Sequence, residues 1–509
     1  MAFAPAWLNL SFLVPYAYLI FAFLCIYVAA KAAFNLYFHP LSRFPGPRFA
    51  AVSMWWQAYV DLWEYDSLCF KLVDVHALHG DIVRIGPNEL HFSQPSAYHD
   101  IYSPRNRWTK GSYLYNAFVN RGSRSMFSIL DYEPAKERRD LTANLFSRKS
   151  ILGMQDLVQA CIDEMCANID EHIANKTPIH FKRAFRCCTL VTISSFCFGQ
   201  TTNALSTPEF RSPLEHSIEA ALPMLRVFKH IPISMKIINN LPPSLLMYLK
   251  PGSTGHLEVV KMLLDQIHNI FANPQTLVNS DHPTIFHELM EAKDPSVLSE
   301  RVFFTEAWLY LFAGTDTSSD ALTAGTLHVL GDPAIHQKLV QELREAWPKL
   351  DERPRYEDLE SLPYLRAVIK ESLRFSHGVT TPLTRVVPPE GAVISGQFIP
   401  GGTVVSMSNV FVHTNAEIFP EPDAFRPERW LDPSAGSLDN WLVAFGKGPR
   451  SCIGMNLAYC EMFLAFTNLF RRYDMRLNGV SPADWRWVDQ FSPVYVGPPL
   501  ELWAQARSD

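Results

Sequence analysis

Hydrophobic and polar positions are distributed very unevenly along this chain. Trp7 to Ala30 runs for 24 residues without a charged side chain. That is long enough to cross a hydrocarbon core with some tilt. A cleaved signal peptide would show a basic start, a shorter apolar region and small residues at a cleavage site. Here no Lys or Arg precedes the run, and Lys31, Arg43 and Arg48 follow it. The pattern predicts an uncleaved membrane anchor over 1–31, with the body on the cytosolic side by the positive-inside rule. Pro15 is tolerated in a membrane helix. The next stretch, His39-Pro40-Leu41-Ser42-Arg43-Phe44-Pro45-Gly46-Pro47, cannot continue a helix. It predicts a stiff, extended connector over 32–48.

The remainder, 49–509, shows both periodicities. Residues 81–92 predict two short strands around Gly86-Pro87-Asn88. From about 133 to 370 the pattern is mostly helical. Arg301 to Leu330 is apolar nearly all round, so this helix should run through a core. It stops at Gly331-Asp332-Pro333. Further helices are predicted over 335–347, 363–375 and Met455–Arg471. Residues 383–407 switch to alternating Val, Ile and Thr with Gly turns, which predicts strands. The expected fold class is mainly α with a small β region. No linker divides it, so 49–509 reads as one large body.

Composition narrows the function. The chain has 509 residues, 48% apolar and 19% charged, which suits a large buried core. No internal repeat or low-complexity tract points to a solenoid or a disordered scaffold. The net charge is -6 and no basic run occurs, so a nucleic-acid partner is not expected. Nine scattered cysteines do not form a disulfide framework and predict reduced thiols in a cytosolic body.

One cysteine stands apart. Residues 445–454 read Phe-Gly-Lys-Gly-Pro-Arg-Ser-Cys-Ile-Gly. Gly446, Gly448 and Gly454 would let the backbone turn tightly and aim amide N–H groups at one sulfur. The helix beginning near Met455 would put its positive end beside Cys452. Both features should lower the thiol pKa and suit a metal ligand. Arg450 could face an anionic group on the same ligand. The spelling Phe445-x-x-Gly448-x-Arg450-x-Cys452-x-Gly454 matches all five fixed positions of the haem-binding signature of the cytochromes P-450. A chance match in such a chain is on the order of one in ten thousand. The chain therefore resembles that family. The resemblance implies its fold around haem b, with Cys452 as axial iron ligand and Phe445 and Gly454 beside it, and monooxygenase chemistry.

Further motifs extend the resemblance. Glu371-Ser372-Leu373-Arg374 places an acid and a base on one helix face. With Pro427-Glu428-Arg429-Trp430 it implies a buried Glu371–Arg374–Arg429 network, with Trp430 where the family usually has Phe. Ala313-Gly314-Thr315-Asp316-Thr317 puts polar residues in the middle of the long apolar helix, where they need partners or a purpose. In the family this helix crosses the oxygen side of the haem. The resemblance implies that Gly314 leaves room for dioxygen, and that Asp316 and Thr317 form the acid–alcohol pair that relays protons. Lys136 to Leu141, followed by Phe146-Ser147, is similar to the family's propionate-binding helix. Aligned on Phe146, the arginine is Arg139 and the donor four residues earlier is replaced by Ala135; Arg138 is the alternative. Arg139, Arg385 and Arg450 would then grip the two propionates.

Segments that face the distal haem in the family offer Tyr113, Phe118, Met126, Phe127, Phe312, Val379, Leu383 and Phe491. This lining implies a small hydrophobic substrate, such as a terpenoid or polyketide. The motif spelling is similar to fungal microsomal members of secondary metabolism, trichodiene oxygenase-like enzymes among them. The resemblance also implies an endoplasmic reticulum membrane location. Its electrons would come from a membrane-bound NADPH-dependent cytochrome P-450 reductase, met by Lys136, Arg138, Lys149 and Lys447. A haem-thiolate isomerase or dehydratase, working without external electrons, is the competing activity. Thr317 favours the monooxygenase, since family members that do not activate dioxygen often lack that alcohol.

Overall fold

The computed structural model describes residues 14–64, 67–241, 254–278 and 280–507. Residues 7–13 of the apolar run lie outside the described residues. From Val14 the run is helical (α1, Val14–Ala33) and continues as a π-helical turn over Phe34–Phe38. Pro15–Phe38 is a candidate span of 24 residues, whose most apolar stretch has mean hydropathy 2.0 and no burial against the body, while Asn35 near its end is buried. The helix thus passes the expected boundary at residue 31. Pro40 ends it, because the residue before a proline is pushed out of the α region, and His39 is extended at φ -67°, ψ 141°.

The connector is not a free strut. Leu41 is fully buried and packs, with Phe44 against it, in the core beneath the main sheet. Arg84 donates to the Asn35 carbonyl at 2.6 Å and from its backbone N–H to the Pro45 carbonyl at 2.7 Å. Gly46 lets the two backbones meet, since a Cβ there would lie 2.4 Å from the Arg84 oxygen. Apolar side chains between the prolines therefore dock the segment that proline content alone had marked as a spacer.

The main sheet has four strands in the order β1 (Ile82–Gly86), β2 (Glu89–Phe92), β4 (Val404–Ser406), β3 (Arg385–Val386). β1 and β2 form the expected hairpin, β2 pairs parallel with β4, and β3 is antiparallel to β4. A hairpin of β5 (Trp487–Gln490) and β6 (Ser492–Tyr495) lies near the C-terminus.

Helices make up most of the body. Those that matter for the site are α2 (Tyr132–Ala143), α3 (Gln155–Asn175), α4 (Phe181–Phe198), α5 (Pro213–His230) and α6 (Pro232–Asn240). They are followed by α7 (Glu300–Gly331), α8 (Pro333–Ala346), α9 (Pro363–Ser376) and α10 (Met455–Arg472). At 32 residues α7 is about 48 Å long. Ser299 caps its start by accepting from the Val302 N–H. Asp332 leaves the helix and caps α8, accepting from the N–H groups of Ala334 and Ile335. The all-round apolar pattern has the expected result: α7 packs against α4, α9 and α10 through the largest buried cluster. All nine cysteines are free; Cys25 is exposed on the anchor helix, and Cys452 is open toward the internal cavity that it lines.

Candidate active site

A large cavity lies between α7 and the loop that precedes α10. The loop is built by its glycines in different ways. Gly446 and Gly448 have φ of 67° and 74°, a region that favours glycine. A Cβ on Gly448 would also sit 2.5 Å from the Tyr102 oxygen. Gly454, at φ -82°, is instead the N-cap of α10. The Cys452 N–H donates to the Phe445 carbonyl at 2.8 Å and closes the turn. Phe445, Arg450, Cys452 and Gly454 all reach the cavity wall. The expected lowering of the Cys452 thiol is corrected here. Burial pushes it up, and the Gly454 N–H and Arg139 only partly offset that. A metal ion at the sulfur would supply the missing positive charge, because it deprotonates a coordinating thiol outright.

Three cations, Arg139, Arg450 and Lys110, line the same wall, and a fourth, Arg385, lies beside them. Arg139 donates to the Ser451 carbonyl at 2.7 Å. Arg385 donates to the Thr384 carbonyl at 2.9 Å and the Tyr115 hydroxyl at 3.2 Å. Arg450 donates to the Asp131 carbonyl at 2.7 Å, and its Nε has no hydrogen-bond partner. Burial and Arg385 push Arg450 down to about 10. Lys110 is buried, with its ammonium 4.3 Å and 4.4 Å from the ring centres of Tyr115 and Phe127. Burial, then Arg385, Arg450 and Arg139, hold it well below the usual lysine range. None of the four pairs with a carboxylate among the described residues. Like charges gathered out of water without a counter-ion fit an anionic ligand. The two carboxylates of a haem, above a cysteine facing the same cavity, meet that requirement.

Arg138 and Arg139 are separated by their partners. Arg138 forms an ion pair with buried Glu306 of α7 at 3.1 Å, while Arg139 lines the cavity. The pairing also corrects the expectation that Arg138 meets a reductase, because its side chain is only 11% exposed. Lys149 is exposed, Lys136 pairs with Asp140, and half-buried Lys447 donates to the Asp439 carbonyl.

On α7, Thr317 faces the cavity and donates to the Ala313 carbonyl at 2.8 Å. Asp316 is buried and ion-paired with Arg186 of α4 at 2.7 Å; Arg186 also meets Glu215 of α5 at 3.0 Å. Gly314 lines the cavity beside Thr317. A Cβ there would lie 2.5 Å from Ile193 Cγ1, so its missing side chain also makes room for α4.

Glu371 is fully buried and accepts five donors. These are Arg374 Nε (3.0 Å) and Nη2 (2.8 Å), Arg429 Nε (3.1 Å), the Arg426 N–H (2.9 Å) and Trp430 Nε1 (2.9 Å). The arginines go on to the carbonyls of His413, Pro420, Pro422 and Ala424, which ties the segment before the cysteine loop to α9.

Of the expected lining, Phe118, Met126, Phe127, Phe312, Val379, Leu383 and Phe491 reach the cavity. Tyr113 does not; its hydroxyl bonds His230 at 2.7 Å, which is itself held by Asp61. Phe491 sits at φ 86°, with its N–H on Asp489 and its carbonyl accepting from Thr380 and Thr381. Sequence reasoning missed α5 and α6, whose Leu222, Leu225, Phe228, Met235 and Ile238 form a cavity wall. It also missed Lys110, Arg186 and Glu461. Only Lys110 carried a signal, as a lone cation in an aromatic stretch.

Comparison with known proteins agrees with this geometry. The cytochrome P450 family profile matches residues 62–486. The chain is similar to the cytochrome P450 monooxygenase flvC of Aspergillus flavus, 33% identical over 527 residues, covering 96% of each chain. It is 34% identical to the monooxygenase aneF of Aspergillus aculeatus, over 88% of this chain and 91% of that one. To the monooxygenase BOT1 of Botryotinia fuckeliana it is 32% identical, over 93% of both.

Proposed function

The chain belongs to the cytochrome P450 family of monooxygenases, and from that premise we propose that it holds haem b and hydroxylates or epoxidises a small hydrophobic molecule of fungal secondary metabolism. When bound, the haem supplies dioxygen activation with electrons from an NADPH-dependent reductase. Cys452 would hold its iron. Arg139, Arg385, Arg450 and Lys110 would hold its propionates, Lys110 taking the place of the donor lost at Ala135. Thr317 would hold and pass a proton at its Oγ1, with Asp316 behind it. The apolar wall from α5, α6 and α7 would exclude water and bind a substrate by burial.

The anchor would lie in the endoplasmic reticulum membrane with the body in the cytosol. Trp55, Trp63 and Leu78 are exposed on the body, and Ile233 and Ile237 on the outer side of α6. Met235 and Ile238 of the same helix line the cavity, so one helix separates an apolar outer surface from the site. That supports entry of an apolar substrate from the bilayer.

The observation that carries the reading is the meeting of Cys452, Lys110, Arg139, Arg450 and Thr317 around one cavity, with no carboxylate paired to these cations among the described residues. The test is the reduced, carbon monoxide-treated protein, which should show the red-shifted Soret band of thiolate ligation. Its absence refutes the reading. Product formed equally well without NADPH and reductase would assign an isomerase or dehydratase instead. Thr317→Ala should divert oxygen to peroxide; unchanged coupling would remove the threonine from the relay.

A further inference from the structure

A second pocket, of about 20 Å³, shares Ala117, Phe118, Leu225 and Phe491 with the large cavity. Phe118 and Phe491 are in ring contact, with centres 4.8 Å apart, so they form part of the wall between the two spaces. The rest of the lining is mostly polar: Asp61, Arg226, Lys229, Thr381, Asp489 and Gln490. Asp61 accepts from Lys229 at 3.0 Å and from His230 at 2.6 Å, and Arg226 donates to the Asp61 carbonyl at 3.3 Å. Two acids and two bases thus face the pocket, a balance that favours a neutral guest over an ion. Asp489 and Gln490, at the end of β5, keep acceptors in reserve. Asp489 is 3% exposed and forms no ion pair among the described residues. The hydroxyls of Thr380 (3.0 Å) and Thr381 (2.7 Å) and the Phe491 N–H (3.1 Å) all donate to its Oδ1, and none to its Oδ2. Gln490 is 5% exposed, and its Oε1 has no hydrogen-bond partner among the described residues. Buried acceptors without donors are costly to keep, so two of them on one pocket call for a guest that donates. A space of about 20 Å³ takes a group the size of one water and excludes a ring.

We propose that this pocket is a hydroxyl subsite of the substrate cavity, and that Asp489 and Gln490 recognise an alcohol already present on the substrate. The inference rests on the monooxygenase reading above and narrows its substrate class. The apolar body of the molecule lies in the large cavity, and its hydroxyl passes the Phe118–Phe491 edge into the pocket. A hydroxyl is neutral, it matches the water it displaces in size, and it donates to a carboxylate or amide oxygen. It also accepts, so it fits equally if the Gln490 amide is turned the other way. Asp489 serves the apolar side as well. By accepting the Phe491 N–H it holds that residue at φ 86°, with the ring on the cavity wall. The group that binds the hydroxyl therefore also sets a ring that lies against the rest of the substrate. The reaction that supplies such a substrate is one that leaves an alcohol on an apolar skeleton, such as an earlier oxygenation or the capture of a carbocation by water.

The test uses the purified full-length holoenzyme and pairs of probes that differ by one hydroxyl: farnesol with farnesene, cedrol with cedrane, and 1-dodecanol with dodecane. Dissociation constants are read from the substrate-induced spin shift, and thermal melts with each probe give the same order without the haem spectrum. In at least one pair the alcohol should bind on the order of tenfold more tightly than its hydrocarbon. Gln490→Met keeps the length of the side chain but not its amide. There the preference should shrink to within about threefold, with the hydrocarbon constant unchanged. A merely structural role would weaken both members of the pair alike. Gln490→Leu repeats the comparison with a second apolar side chain. The proposal is overturned if no alcohol is preferred in the natural protein, if the preference survives in both variants, or if both members weaken together. The carbon monoxide spectrum separates the two readings. If the natural protein lacks the thiolate band, the monooxygenase reading fails first. If the band is normal and no alcohol is preferred, only the subsite fails.

Discussion

Trp430→Phe tests the buried network at its most specific point. The family usually places Phe here, so the substitution looks neutral by pattern. The structure gives the opposite answer, because the indole N–H donates to Glu371 Oε2 at 2.9 Å. Glu371 is fully buried, and this is one of only five donors on its two oxygens. Losing a hydrogen bond to a charged acceptor costs about 1.5–3 kcal/mol. Four donors remain, two of them from Arg374, so the lower half of that range applies. Replacing an indole by a phenyl ring at a site 8% exposed adds roughly 1 kcal/mol of lost packing. The ring's place over Lys370, 5.5 Å away, is largely kept by Phe and changes little.

The expected loss is therefore about 2–3 kcal/mol. It can be read from guanidinium unfolding followed both by fluorescence and by haem release. Packing and hydrogen bonding are separated by repeating the substitution in a Glu371→Gln background. There the acceptor is neutral, and Trp430→Phe should cost only its packing share, about 1 kcal/mol. A loss below about 0.5 kcal/mol in the natural background, or the same loss in both backgrounds, refutes the claim that the indole N–H stabilises this carboxylate.

Three further outcomes follow from the geometry. Gly314→Ala should destabilise by about 1–3 kcal/mol through the clash with Ile193, and Ile193→Ala should recover much of it; thermal melts of the single and double variants check this. Lys110→Met should weaken haem retention in a transfer assay to apomyoglobin while leaving the thiolate spectrum of the bound fraction intact; unchanged retention would remove Lys110 from the propionate set. Glu461 has a folded pKa near 8 against an ordinary 4.5, so the folded state binds more protons between those values and stability falls as pH rises through that window. The full loss is on the order of 5 kcal/mol at most, so unfolding midpoints measured from pH 5 to 8.5 should fall more steeply in the natural protein than in Glu461→Gln.

The features legible in the sequence were those written in local order. The Cys452 loop, the Glu371–Arg374 pair and the all-apolar α7 each lie in one stretch, where spacing dictates which atoms share a face. The network partner Arg429 was reachable because its own tetrapeptide is local as well. The unread parts depend on what crosses from elsewhere. Periodicity shows that α5 and α6 have an apolar face, but only packing shows that Leu225 and Met235 cover a cavity and not a solid core. Gly314 reads as space for a ligand, and only packing shows that Ile193 closes on it as well. Tyr113 reads as lining until His230 claims its hydroxyl.

Charge shows the same limit most clearly. A lysine at 110 and an arginine at 385 are far apart in the chain, yet an isolated bridge between their backbones sets them side by side. Each alone would be read as a solvated cation. Buried together with Arg139 and Arg450, and with no carboxylate paired to them among the described residues, they form a local deficit of negative charge. Arg138, one residue from Arg139, faces a carboxylate that α7 supplies, Glu306. The fold thus provides an acid for the arginine that is structural and withholds one from the arginine beside it. That difference between adjacent residues marks which cations are left for a ligand.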